Sequence, residues 1–130
     1  MFISGISIYW GEGDKVGKYL VRVVNVDPLL LKAFIAFLIT VCGVELAKIK
    51  SYVLIYPDLN EKECLRYWSK NLGLPLENFT KCVKIQGRHK TKRLGYGVCT
   101  VYVSSAYLKR KVTVWLKLIG DELTNKKYTL

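Results

Sequence analysis

One acidic residue, Glu12, lies at the end of an apolar N-terminal segment, where its carboxylate could bind a metal ion together with a second carboxylate. Residues 2–12 have apolar side chains at helical spacing, and a second stripe holds the small residues Ser4, Ser7 and Gly11. A stripe of small residues lets another helix approach closely. In a symmetric dimer, two such helices would bring two Glu12 carboxylates together. Paired carboxylates bind Mg²⁺ or another divalent cation, which can assist phosphodiester hydrolysis.

A basic loop at residues 87–95 is the second candidate for chemistry. Five of its nine residues can carry positive charge: Arg88, His89, Lys90, Lys92 and Arg93. The loop joins residues 81–86 and 97–104, which we expect to pair as the strands of a hairpin. A two-stranded ribbon fits the major groove of B-DNA, where Arg and Lys reach guanine edges and phosphates. The alternative is a solvated loop with no ligand, and attraction to phosphate alone does not separate DNA from RNA.

The net charge of +11 lies entirely in the second half of the chain. Residues 1–65 contain 7 Lys/Arg and 7 Asp/Glu, whereas residues 66–130 contain 14 Lys/Arg and 3 Asp/Glu. A concentrated positive field attracts a polyanion because binding releases counterions, so nucleic acid is the expected partner. An anionic membrane surface is the second choice, but no basic amphipathic helix stands out to bind it. The longest apolar run, residues 33–44, is too short to span a bilayer.

Other chemistry finds few suitable residues in the sequence. The cysteines have no close-spaced pair and the only histidine is His89, so we expect no zinc site and free buried thiols: Cys42, Cys64, Cys82 and Cys99. There is no Walker loop and no Gly-Xaa-Ser-Xaa-Gly sequence. Met1 is followed by no basic segment with a cleavage site, so we expect no signal peptide and a cytoplasmic location.

The elements that position these residues have the predicted order αβαβαββα. Asp27, Asn60 and Ser105 are expected helix caps. The sequence predicts one α+β domain at 1–123, in which helices cover one face of a mixed or antiparallel sheet and a basic face with tyrosines is free for a partner. Residues 124–130 form a polar tail. The predicted helices are 2–12, 28–41, 61–72 and 106–123, and the predicted strands are 18–25, 48–56, 81–86 and 97–104.

Residues 5–13, GISIYWGEG, resemble the LAGLIDADG motif of homing endonucleases. Ser7 and Gly11 stand at the two small helix-packing positions of the motif, and Glu12 stands at its acidic metal-ligand position. The first and sixth residues depart from the motif, with glycine for leucine and tryptophan for the first acid. The predicted order of elements is also close to the family's αββαββα with a final helix, over nearly the whole chain.

The resemblance implies a single-motif homodimer whose sheets form a saddle along the DNA major groove. Glu12 of each subunit would hold a divalent metal beside one scissile phosphate, and Asn25 would lie near the metal-bound water. The activity implied is Mg²⁺-dependent, site-specific cleavage of double-stranded DNA. The dimer contact implied is Ser4, Ser7, Ile8 and Gly11. The residues expected to contact DNA are Lys18, Arg22, Lys48, Lys50, Tyr52, Lys81, Lys84, Arg88, His89, Lys90, Lys92 and Arg93.

Departures from the family keep two alternatives open. Only about 12 residues separate Gly13 from Asn25, so the first hairpin is shortened to one strand and a stub, which removes base-reading surface. Many cleaving members carry a basic residue at the end of the last strand, where this chain has Ser104 and Ser105, with Lys109 one helical turn further on. The alternatives are a non-catalytic DNA-binding regulator on the same scaffold and an RNA-binding protein that assists intron splicing.

Overall fold

The computed structural model describes residues 1–85 and 95–125. Within them, four α-helices and four strands follow the order αβαβαββα, so the predicted α+β class and order of elements are confirmed. The helices are α1 (Phe2–Glu12), α2 (Pro28–Thr40), α3 (Glu61–Leu72) and α4 (Ala106–Thr124). The strands are β1 (Leu20–Asn25), β2 (Lys50–Ile55), β3 (Val83–Lys84) and β4 (Val98–Ser104).

The four strands form one mixed sheet in the order β1-β4-β2-β3. Strand β4 is antiparallel to both β1 and β2, whereas the two-residue β3 is parallel to β2. The predicted hairpin of residues 81–86 with 97–104 is therefore wrong, because β2 lies between β3 and β4. The alternation of apolar residues in β4 identified a strand correctly, but it carries no information about which strands lie beside it.

Helix caps and turns follow the local sequence closely. Asp27, Asn60 and Ser105 each accept a hydrogen bond from a first-turn backbone N–H, at 2.9, 3.0 and 3.1 Å. Gly73, with φ of 72°, ends α3 in the left-handed conformation that glycine favours. Strands β1 and β2 each begin two residues later than predicted, and the residues before β2 form a short 3-10 turn, Leu46–Lys48.

The hydrophobic core lies on one face of the sheet, beneath the helices. Helix α2 packs against α1, α3 and β1, and its Phe34 and Phe37 are fully buried. Alternate strand residues point into this core and are buried: Val21, Val23, Ser51, Val53, Ile55, Cys99, Val101 and Val103. The strand residues that alternate with them are absent from the core cluster that the described residues form. The helices therefore cover one face of the sheet, as predicted.

Helix α1 has one side in the hydrophobic core and one side in solvent. Gly5, Ile6 and Tyr9 are buried. A Cβ atom at Gly5 would overlap the Phe37 ring, so only glycine lets α1 approach α2 this closely. The ring of Phe2 meets Trp115 of α4 edge-on, with centroids 5.0 Å apart.

Candidate nucleic-acid interface and acidic helix end

The face of the sheet opposite the helices is here called the open face. Across three neighbouring strands of this face, a tyrosine stands between two basic residues. In the strand register Arg22 stands opposite Tyr102, which stands opposite Lys50 on its other side. The next row consists of Val24, Thr100 and Tyr52. None of the strands within the described residues contains an acidic residue. A cation on each side of a tyrosine can attract phosphate while the ring contacts a base or sugar.

At the centre of the open face, Tyr52 and Tyr102 form a tilted aromatic pair. Their ring centroids are 5.9 Å apart and the ring planes meet at 57°. Both side chains are partly exposed. Thr100 lies between Val24 and Tyr52 and is only 1% exposed, and its Oγ1 has no hydrogen-bond partner among the described residues. The open face therefore holds a partly exposed aromatic pair and, next to it, a buried hydroxyl.

The structure brings three of the predicted DNA-contacting residues together on the open face: Arg22, Lys50 and Tyr52. The predicted contacts of the basic loop lie outside the described residues: Arg88, His89, Lys90, Lys92 and Arg93. Tyr102, one of the tyrosines that the sequence predicted on the free face, also lies here, because it alternates with buried Val101 and Val103.

The remaining predicted contacts are exposed but lie away from the centre of the open face. Lys18 precedes β1, and Lys48 lies in the 3-10 turn before β2. Lys81 and Lys84 are exposed near the β3 edge, and Lys84 stands opposite Ile55, in the row that faces the helices. These lysines can contribute to the field at the rim rather than to contacts at the centre.

Arg22 is held by an acidic residue that the sequence analysis missed. Its Nε and Nη2 atoms lie 2.9 and 2.8 Å from Oδ2 of Asp14. A hydrogen bond from the Val16 N–H and the nearby Arg22 charge lower the pKa of Asp14, so this carboxylate stays charged. Asp14 follows a glycine, and its N–H donates to the Arg22 carbonyl at 2.9 Å. The predicted stub of the first hairpin is present here, since Gly13 also forms a bridge with Val23 of β1.

A buried lysine joins the first and last helices at this corner. Lys109 of α4 is 2% exposed, and its Nζ donates to Tyr9 Oη at 2.8 Å and to the Asp14 carbonyl oxygen. Tyr9 Oη also donates to that carbonyl. Burial lowers the pKa of Lys109, and burial together with the Asp14 charge raises the pKa of Tyr9 to about 12. These contacts fix the backbone directly after Glu12.

Glu12 and Asn25 lie near the same edge of the sheet. Glu12 is the exposed last residue of α1, and the next residue, Gly13, pairs with Val23 of the edge strand β1. Asn25 ends β1 opposite Cys99, in the row that faces the helices, and its Oδ1 accepts from the Asp27 N–H at 2.8 Å. Carboxylate oxygens are suitable ligands for Mg²⁺. Within residues 1–85 and 95–125, however, no three acidic, cysteine or histidine side chains are grouped so that they could hold a metal ion. A second Glu12 would have to come from another copy of the chain.

The predicted dimer contact is largely accessible. Ser4, Ser7 and Gly11 are exposed, and a Cβ atom at Gly11 would meet no atom within 4 Å. Ile8 is only partly buried and packs beside the core. The exposed side of α1 also presents Ile3 and Trp10, which the sequence analysis did not assign to the contact. Helical spacing places Ile3, Ser7 and Trp10 on one line along α1.

Comparisons of the chain with protein families, with curated proteins and with solved structures find no match. Across the described ranges, no helix is both long enough and apolar enough to cross a membrane.

Proposed function

We propose that the chain is a LAGLIDADG-type, cytoplasmic DNA-binding protein that acts as a homodimer and cleaves double-stranded DNA with a metal held by Glu12. The single observation that carries DNA binding is the row Arg22, Tyr102 and Lys50 on a sheet face outside the core. Lys50 and the Asp14-paired Arg22 stand two strand spacings apart, about 10 Å, and both can contact a phosphate backbone lying across the strands. The chain's excess of positive charge supports a polyanionic partner.

The dimer in this proposal forms through the exposed side of α1. The buried side of α1 is committed to its own subunit through Gly5 and Ile6, whereas Ser7 and Gly11 leave room for close approach of a second helix. Both subunits would then place the end of α1 at the shared interface. The two open faces would lie side by side as a continuous surface for duplex DNA.

Two Glu12 carboxylates at the dimer interface would hold divalent cations. Such a cation supplies Lewis-acid assistance to phosphodiester hydrolysis. Asn25 uses its Oδ1 in the turn to Asp27, so in this proposal it contributes its Nδ2–H groups to ordering a water at the same edge. Lys109 and Tyr9 hold the segment that follows Glu12, which keeps the carboxylate near β1.

Cleavage is tested with supercoiled plasmid, with and without Mg²⁺, using wild type and Glu12→Gln. We expect Mg²⁺-dependent nicking and linearisation by wild type, and no cleavage by Glu12→Gln although it binds duplex DNA normally. Glu122→Gln is the matched control, because Glu122 is an exposed carboxylate far along α4. This variant should cleave like wild type. Cleavage that survives in Glu12→Gln would exclude the proposed metal site.

A DNA-binding regulator without cleavage activity is the second candidate, and the burial of Lys109 favours it. Lys109 is the cation of α4 at the end of α1, and it donates hydrogen bonds to Tyr9 Oη and to the Asp14 carbonyl oxygen rather than to solvent. If wild type and Glu12→Gln are equally inert but bind duplex DNA with a steep salt dependence, the regulator is the better description. A preference for structured RNA over duplex DNA would instead support a role in splicing.

A further inference from the structure

The tyrosines of the open face occupy its centre. Tyr52 lies on β2 and Tyr102 on β4, and these are the two central strands of the sheet. Both side chains are large and partly exposed, and neither belongs to the core cluster. In contrast, Tyr9 is fully buried against Phe34. Packing on the core therefore explains Tyr9 but does not explain Tyr52 and Tyr102.

The geometry of the pair leaves ring surface for a third planar group. Tyr67 and Tyr96 stack face to face, with centroids 3.9 Å apart and planes 4° apart, so each covers one ring face of the other. Tyr52 and Tyr102 meet at 57°, so their ring faces are not stacked on each other. A tilted pair in the middle of an exposed sheet can accept a flat ligand on a ring face.

The charges around the pair indicate what kind of flat ligand fits. Arg22 and Lys50 stand on either side of Tyr102 in one row, and no acidic residue lies in the strands of the part of the chain that the structure describes. Arg22 shares its charge with Asp14, which leaves Lys50 as the free cation of the row among the described residues. A ring face beside a cation suits a nucleobase with its phosphate attached.

We propose that the Tyr52–Tyr102 pair is a stacking site for an unpaired base of DNA or RNA. This inference rests on the proposed binding of nucleic acid by the open face, and it is independent of cleavage. In a duplex both faces of each base are covered by neighbouring pairs, and only base edges are presented in the grooves. Stacking on a tyrosine requires a base that is splayed out, as in a single strand, a bulge or a distorted duplex. The open face then prefers nucleic acid that offers such a base.

The test measures binding by fluorescence anisotropy to four labelled oligonucleotides of one sequence. They are a fully paired DNA duplex, the same duplex with one extrahelical base, the single DNA strand, and the single RNA strand. We expect wild type to bind the ligands with unpaired bases about tenfold more tightly than the paired duplex, the size expected for one base–aromatic stack. Comparison of the DNA and RNA strands identifies the source of the base.

The variants separate stacking from other effects of the tyrosines. The double variant Tyr52→Leu, Tyr102→Leu should lose the tenfold preference, whereas Tyr52→Phe, Tyr102→Phe should keep it because the rings remain. The matched control is Tyr107→Leu, a change at a tyrosine that is 66% exposed and belongs to helix α4 rather than to the sheet; this variant should bind like wild type. Thermal unfolding of each variant confirms that it is folded.

Two results would overturn the stacking site while leaving the proposed function intact: equal binding of all ligands by wild type, or a preference that persists in the leucine double variant. Failure to bind any of the four ligands would remove the proposed function as well. If the leucine variant does not fold, photo-crosslinking of wild type to a single strand that carries 5-iodouracil decides the matter. Cross-links at Tyr52 or Tyr102 support the site, and cross-links found only elsewhere contradict it.

Discussion

In strand β2, Ile55 is fully buried against the helices, while Leu54, its neighbour, lies on the open face and is partly exposed. The same contrast continues across β4, where Val101 is buried and Tyr102 is accessible. The face beneath the helices holds mostly aliphatic side chains. The open face holds cations, tyrosines and the Thr100 hydroxyl, which has no hydrogen-bond partner within residues 1–85 and 95–125; the core needs none of these. Features that stability does not explain are the better candidates for function.

The largest expected effect is a difference in the free energy of unfolding when Ile55 or its neighbour Leu54 is truncated to alanine. Ile55→Ala removes a side chain that is 0% exposed, so we expect the free energy of unfolding to fall by about 3 kcal/mol. Leu54→Ala should lower it by no more than about 1 kcal/mol, since its side chain is partly in water already. Urea titration of both variants measures the difference. Equal losses would mean that the open face is covered by part of the folded protein.

A smaller effect is expected at the buried polar contact on the helix side, where Tyr9 meets Lys109. Because the pKa of Tyr9 is raised to about 12 from 10.0, the unfolded chain loses this proton first as the pH rises. Stability is therefore fully present below pH 10 and falls between pH 10 and pH 12, by about 2 to 3 kcal/mol. The lowered pKa of Lys109 acts in the opposite direction at lower pH, since its unfolded form holds its proton longer.

Tyr9→Phe isolates this contribution. At neutral pH the variant should be less stable by about 1 to 2 kcal/mol, because Lys109 loses a hydrogen-bond acceptor. Between pH 10 and pH 12 its urea midpoint should fall less steeply than that of wild type. Parallel curves for the two proteins over this range would show that Tyr9 titrates normally in the folded state.

The smallest effect is expected at Thr100, the buried residue of the open face. Thr100→Val keeps the shape of the side chain and removes a hydroxyl that has no partner among the described residues, so the protein should become more stable by about 1 kcal/mol. Thermal or urea unfolding detects a change of this size. Destabilisation instead would indicate that the hydroxyl is hydrogen-bonded in solution, for example by an ordered water.

Much of this fold follows from local sequence. Asp27, Asn60 and Ser105 are the helix caps that their types predicted, and α1 has the bounds that its apolar spacing gave. Strand β2 lies within the predicted strand 48–56, and its burial alternates residue by residue, which places the expected contacts Lys50 and Tyr52 on the face away from the core. These features depend on residues within one or two turns of each other, where propensity and periodicity act directly.

The features that the sequence did not predict depend on residues far apart in the chain. The partner of β3 is β2 rather than β4, and a two-residue strand has too little pattern to specify its neighbour. Lys109 is separated by 100 residues from Tyr9, and no local signal distinguishes a buried lysine from the exposed Arg110 beside it. The Asp14–Arg22 pair was closer to being predictable, because a turn that returns along β1 places residues eight apart side by side.

The central position of β4 has a consequence for how the chain folds. Of the four strands, β4 comes last in the sequence, yet β1 and β2 pair with it and not with each other. Arg22 and Tyr102 are about 80 residues apart, so sheet formation must close a long loop before most ladder hydrogen bonds form. During synthesis, β1 and β2 are made before β4, the strand with which both of them pair. Folding should therefore be slow for a chain of this size, with its rate set by the arrival of β4.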